Sequence, residues 1–357
     1  MNSKLEWVAS QLPDNHAAAL VAAEHHLCYL TGFPSGESWV FITREKAYFL
    51  TDFRYIEMAN ATVNGAQCLM VTRLTQTLSE LVEKHAISRI FLEAGETSLA
   101  QAKVLQTALK TVTFEMGDEL DNWLAEIRAT KDEYEVSLIE QAQRITEAGF
   151  EHILPYIREG VTEREVALEL EFFMRRQGAQ RVAFDFIVVS GANSSLPHGI
   201  PSDKPIEKGD FLTMDFGAVV DGYHSDMTRT VAVGAVTDEQ RFIYDTVLKA
   251  QLASLSVLKE GVACIDGDAA ARDIIVAAGY GDQFGHGTGH GVGVQIHEGP
   301  NLSPRAGERL LKAGNIVTVE PGIYLEGKYG VRIEDMALIT KDGCRNLTRC
   351  PKELIIL

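Results

Sequence analysis

The stretch Phe211–Val233 reads FLTMDFGAVVDGYHSDMTRTVAV, two apolar runs that meet at Asp221-Gly222. Asp-Gly between strand-forming runs is the strongest short-range hairpin signal, because a tight two-residue turn needs positive φ at its centre. Pivoting on that turn, Gly217 stands opposite Asp226, and Asp215 lies two residues along from Gly217 on the same face. The flanks FLTM and TVAV are apolar, so both strands read as buried. Two neighbouring aspartates in such a place repel each other and resist joint ionisation unless a cation sits between them. A solvated polar face is the ordinary explanation of an isolated Asp pair, and the apolar flanks weaken it here.

Further along, NIVTVEPGIYL (315–325) and GVRIEDMALI (330–339) read as a second strand pair. Glu320 ends an interior run, and Arg332 and Glu334 share a face. An Arg332–Glu334 ion pair is the plain structural reading, yet one guanidinium cannot also neutralise Asp215, Asp226 and Glu320. Between the two hairpins, GHGTGHGVGVQIHEGP (285–300) supplies His286, His290 and His297. Its glycines fit no G-x-G-x-x-G register with an acidic residue about twenty positions on, which sets a dinucleotide loop aside. They read instead as places where backbones pack closely enough for imidazoles to approach a crowded centre. Four carboxylates and an imidazole form a hard donor set that suits Mn²⁺, Co²⁺ or Zn²⁺ better than an ion that prefers thiolates.

Outward from these segments, each hairpin follows a helix pair. The first pair spans roughly 131–156 and 163–177, the latter opened by the capping box Thr162-x-x-Glu165 and closed by Gly178. The second spans roughly 238–259, boxed by Thr237 and Gln240, and 266–278. This coarse helix, helix, carboxylate-strand repetition points to a pseudo-symmetric domain with its site between the halves. Before Met116, runs such as SWVFI, AYFLT, CLMVT, RIFLE and VTFEM alternate with helix-like stretches, the pattern of an α/β domain. The charged segment 117–135 suits a connecting helix, so the expected domains are 1–125 and 126–357.

Composition narrows the function. Asp plus Glu number 50 against 33 Lys plus Arg, a net charge of -17 that repels nucleic acid and anionic membrane surfaces. The five cysteines are scattered without a CxxC spacing, which fits reduced thiols in a cytoplasmic protein. The opening residues MNSKLEWVASQLPDN lack the apolar core of a signal peptide, and no tract is long enough to span a bilayer.

The segments LPHG around His198, MDFGAVVDGYHSDMTRT, GHGTGHGVGVQIHEGP, TVEPGIY and GVRIED resemble the signature blocks of the pita-bread metallopeptidases, which include Xaa-Pro aminopeptidases, prolidases and methionine aminopeptidases. The early Thr51-Asp52-Phe53-Arg54-Tyr55 resembles the creatinase-type domain that precedes the catalytic domain in the proline-directed members. The resemblance implies an RNase H-like α/β domain followed by a pseudo-symmetric pita-bread domain. It implies two divalent metal ions, with Asp215 on one, His290 and Glu320 on the other, and Asp226 and Glu334 bridging them around a shared water. Glu320 would accept the proton, His198 and His297 would contact substrate and the tetrahedral intermediate, and His286, Tyr324 and Arg332 would stand beside the metals. Manganese or cobalt leads zinc as the expected metal. A homodimer is common in this family, with the amino-terminal domain limiting substrate length.

The expected reaction is hydrolysis of the bond between an N-terminal residue and proline, a tertiary amide whose ring fixes φ and which strand-binding peptidases handle poorly. The alternative is an Xaa-Pro dipeptidase. Prolidases tend to carry an arginine just after the His-Glu-x-Pro block, whereas here Asn301 follows and Arg305 comes later, which favours longer peptides. Creatinase, a metal-free relative, would have lost several of the five ligands, and a catalytically silent peptide-binding module would not need them together with His198 and His297. His224, beside Asp226, has the parity of the metal side but reads as a rim or structural residue.

Overall fold

Asp221 and Gly222 take φ of 45° and 83° in the computed structural model, which describes residues 1–357. That is the left-handed pair a two-residue hairpin turn needs. The register follows from it: Val219 pairs with His224, and beyond the break at Gly217 Asp215 pairs with Thr228 in the same alignment. A Cβ on Gly217 would come within 1.9 Å of the Ser225 carbonyl oxygen, so only glycine admits the crossing there.

The chain separates into two units, Met1–Arg128 and Ala129–Leu357. The first holds a six-stranded sheet in the order Gln67–Met70, Ala47–Thr51, Trp39–Thr43, Ala17–Val21, Arg89–Leu92, Thr113–Glu115, parallel at both ends and antiparallel in the middle. Its central strand, Ala17–Val21, is buried throughout. Alanine favours helix, so this run carries no strand signal of its own, and burial between two layers decides its conformation. Helices at Ser3–Gln11, Glu24–Thr31, Ile56–Thr62, Leu74–Lys84 and Leu99–Ala108 complete the unit, and Glu119–Ala129 forms a helix where the sequence turns charged.

The second unit repeats one plan twice. Helices Glu133–Ile153 and Glu163–Arg176 precede the first hairpin, and Asp238–Val257 and Cys264–Ala277 precede the second. Side-chain and backbone capping boxes close at Asp132/Glu135, Thr162/Glu165 and Thr237/Gln240. In the second hairpin Val319 pairs with Asp335 and Gly322 with Arg332, which sets Glu320 opposite Glu334 between two short ladders. The first hairpin is thus interrupted where Asp226 stands and the second where Glu320 and Glu334 stand, whereas Asp215 lies within its ladder. Packing around the first half centres on Phe150, Leu170, Met174, Leu212 and Met214, and around the second on Ile243, Tyr244, Val247, Phe284 and Val331. No helix is long and apolar enough to cross a membrane.

In the first unit the fully buried Glu93 accepts from the backbone N–H groups of Ala22 and Ala23 at 2.5 and 3.1 Å and faces His26 Nδ1 at 2.5 Å. Burial pushes its carboxyl up to about 7, against those donors and the charge of Arg128. An unfolded glutamate ionises near ~4.3. The folded chain therefore keeps a proton that the unfolded chain has released, so this contribution to stability is whole below about pH 4.3 and is lost as pH rises to about 7. Denaturant unfolding of the parent chain should show falling stability from pH 5 to 7.5. Glu93→Gln should remove on the order of 2 kcal/mol of that decline, and an unchanged pH profile in the variant would sink the assignment.

Candidate metal centre

The two interrupted hairpins and the strand Gly289–Gly291 bring Asp215, Asp226, His290, Glu320 and Glu334 onto the wall of one cavity of about 710 Å³. Donor atoms of Asp226, His290 and Glu334 lie within 4.8 Å of one another. His290 Nε2 is 3.6 Å from Asp226 Oδ2 and 3.3 Å from Glu320 Oε1. The other ring nitrogen, Nδ1, donates to the Gly291 carbonyl at 3.0 Å, which leaves Nε2 as a lone-pair donor facing the carboxylates. The imidazole gets this close because Gly289 has no Cβ: one would meet the Thr318 carbonyl oxygen at 1.9 Å.

The electrostatics are those of a site built for cations. Burial first, then Glu334, Asp215 and Glu320, hold the Asp226 carboxyl well above the usual carboxylate range. Burial and then Glu320 and Asp215 do the same to Glu334, and burial raises Glu320. Burial lowers His290, which keeps its imidazole neutral and able to ligate. Asp215 Oδ1 is buried with no hydrogen-bond partner at all. An orphaned carboxylate oxygen, three carboxyls that resist ionisation and a neutral imidazole together fit divalent ions in this pocket.

Arg332 is the one guanidinium among these charges, and its partner differs from the one that strand parity suggests. It reaches Asp215 Oδ2 at 2.6 Å and touches Glu334 only through Thr228, whose hydroxyl accepts from Arg332 Nε at 3.1 Å and donates to Glu334 Oε2 at 2.8 Å. Thr228 is the cross-strand partner of Asp215, so the ladder that fixes one carboxylate also fixes the relay to another. Arg332 also donates to Tyr324 Oη at 2.9 Å, and Tyr324 Oη in turn meets His286 Nε2 at 2.9 Å. With Nδ1 bonded to the Gly287 carbonyl, both nitrogens of His286 are committed. His286 is a buttress in this arrangement, with no ring nitrogen open to the cavity.

Other residues position the site without a signal in the motifs. Buried Glu163 accepts from the backbone N–H and hydroxyl of both Ser190 and Ser202 and from Asn193 Nδ2, gripping both ends of the loop that carries His198. Asp268 takes the N–H and hydroxyl of Thr288 and pairs with Arg272, which donates to the His286 carbonyl oxygen. His198 and His297 both line the cavity, the His297 ring packed edge-on to His290 at 4.3 Å between centroids. His224 does not line it: its ring is buried and bonded to the Gly293 carbonyl, with burial lowering its pKa to about 4. Asn301 and Ser303 line the wall, and Arg305 does not.

Comparisons with known proteins point to one family. Residues 137–341 match the model of metallopeptidase family M24, and residues 14–130 match the creatinase/prolidase N-terminal domain. The Xaa-Pro dipeptidase of Pyrococcus horikoshii is 36% identical over 357 residues, covering 99% of each chain. Among solved structures, an Xaa-Pro dipeptidase from Bacillus anthracis is 41% identical with a TM-score of 0.95 over 99% of both chains. An X-Pro aminopeptidase from Thermotoga maritima is 38% identical with a TM-score of 0.88 over 95% of both.

Removing one of the mutually repelling carboxyls should separate fold from metal binding. Asp226→Asn is expected to stabilise the metal-free chain by about 1 kcal/mol while abolishing the rise in melting temperature that Mn²⁺ confers on the parent. Thermal melts with and without Mn²⁺ read both effects, and a full Mn²⁺ shift in the variant would contradict the ligand assignment.

Proposed function

The chain belongs to metallopeptidase family M24, and from that premise we propose that it is an aminopeptidase using two divalent ions to hydrolyse the bond between an N-terminal residue and proline. The observation that carries this reading is the cavity-lining set Asp215, Asp226, His290, Glu320 and Glu334, whose crowded carboxyls exceed what the single guanidinium of Arg332 can balance and suit divalent cations. The names of the relatives, Xaa-Pro dipeptidase and X-Pro aminopeptidase, support proline as the second residue. The oxygen-rich donor set suits Mn²⁺ or Co²⁺ ahead of Zn²⁺.

When bound, such ions acidify water and polarise a carbonyl. The chain's own residues do the rest. Asp215 and Asp226 on one hairpin and Glu320 and Glu334 on the other hold the centre from both halves of the unit, with His290 between them. Thr318 steadies Glu320 Oε1 at 3.2 Å, leaving the other oxygen to accept a proton and later return it to the departing proline nitrogen. That nitrogen leaves as a secondary amine and must be protonated. His297 and His198 supply N–H donors toward the oxygen on which negative charge develops. Arg332 orients Asp215, and the Tyr324–His286 pair holds that guanidinium in place.

Peptide length separates two readings. Arg332 is fully engaged with Asp215, Tyr324, Thr228 and the Pro197 carbonyl, so the cavity wall offers no spare guanidinium or ammonium to grip a carboxylate directly after proline. This favours Xaa-Pro-Yaa peptides. The dipeptidase names of the Pyrococcus and Bacillus relatives favour the other reading. Five free cysteines support a reducing, cytoplasmic setting, and the family resemblance supports a homodimer, which sedimentation reads directly.

The test compares an Xaa-Pro dipeptide, an Xaa-Pro-Yaa tripeptide and its alanine counterpart. The Mn²⁺-loaded enzyme should cleave the proline tripeptide best and lose activity on chelation, whereas preference for the dipeptide would make it a prolidase. His297→Ala should lower kcat by about 10²-fold with metal content unchanged by elemental analysis. Loss of the metal along with the activity would instead make His297 a ligand.

A further inference from the structure

One carboxylate on the cavity wall belongs to no part of the centre described above. Asp185 is exposed, lines the cavity, and makes no hydrogen bond or ion pair within the chain. Its setting is irregular. Val182 pairs with Ala218 and Ile187 with Asp215, so five residue steps on one strand face three on the other. Ala183 N–H still bonds the Gly217 carbonyl at 2.9 Å, which confines the two extra residues to Phe184, Asp185 and Phe186. A bulge of this kind beside a site re-aims the side chains it carries, and all three line the cavity.

The surroundings give the chemistry of the ligand. Phe184, Phe186, Ile187 and Ile200 make the nearby wall apolar, and the remaining carboxylates of the cavity are those of the metal centre. A hydrocarbon wall bearing a single uncommitted negative charge fits an apolar stem ending in a cation. A peptide that presents its N-terminal residue to this cavity carries such a cation in its α-ammonium, and a second when that residue is lysine. Resting on the aminopeptidase reading above, we infer that Asp185 receives the ammonium of the substrate's first residue and so sets preference at that residue. It binds substrate and takes no part in moving the proton.

The two sources of the ammonium are separable. Lys-Pro-Ala against norleucyl-Pro-Ala varies only the side-chain charge, and lysinamide, norleucinamide and hexanamide, titrated calorimetrically into the Mn²⁺-loaded protein, vary side-chain and α-ammonium in turn without needing turnover. In Asp185→Asn either the lysine/norleucine ratio or the norleucinamide/hexanamide ratio should fall by about five-fold, carried in KM or Kd, the size of a partly exposed ion pair. Asp185→Lys should depress the same ratio further. Both ratios holding within two-fold in both variants would overturn the inference. If the parent cleaves no Xaa-Pro peptide, the aminopeptidase reading fails on its own, and the amide titrations still decide what Asp185 binds.

Discussion

Four carboxyl groups pressed together out of water, with one guanidinium among them, are the constraint around which the catalytic unit is built. Left uncompensated, such a group would favour opening the fold or holding protons, and the raised carboxyls of Asp226, Glu320 and Glu334 record that tension. The surrounding structure holds the group together regardless. Paired ladders fix the strands on either side of each break, glycines admit the close crossings, and Thr228, Thr318 and Arg332 leave the carboxylate oxygens they touch little freedom. The stability spent in assembling these charges is returned when cations bind, which ties the working state of the protein to its metal.

Both halves of the unit solve this problem in the same way. Each offers a hairpin whose ladder lapses for a residue or two, with Asp226 in the first lapse, Glu320 and Glu334 in the second, and Asp215 two residues from the first lapse within its ladder. The halves are not interchangeable, however. The first contributes Asp215 with its guanidinium partner, while the second contributes facing glutamates and the imidazole strand. A centre assembled from such unequal halves has an electrostatic direction, with the arginine on one flank and the open histidines on another.

Much of this was legible in the amino-acid order. Asp221-Gly222 fixes the register of a whole ribbon, and Thr162 and Thr237 mark helix starts through side-chain chemistry that acts within four residues. What escaped was whatever depends on distant partners. Ala17–Val21 is a central strand because two layers bury it, against the helical preference of alanine. Arg332 shares strand parity with Glu334, yet neighbouring ladders carry its guanidinium to Asp215. Glu163 reads as one more acid in the first turn of a helix, and nothing local says that it is buried under six donor contacts. Asp185 sits in a stretch whose alternation the bulge breaks, so its direction was not readable from periodicity.

The Glu163 contacts also bear on how the loop around His198 is free to vary. Ser190 and Ser202, its two feet, stand on the two oxygens of one carboxylate, as an arch stands on a single footing stone. The span between them is closed by that shared base, and within it Ser194 donates to the Gly191 carbonyl and accepts from the Gly330 N–H while the Pro197 carbonyl accepts from Arg332. Exposed side chains at its crown, Leu196 and Ile200, can therefore be exchanged while the feet stay planted. Side-chain exchange there would remodel the edge of the cavity while the Pro197 carbonyl stays on Arg332 and Arg332 on Asp215.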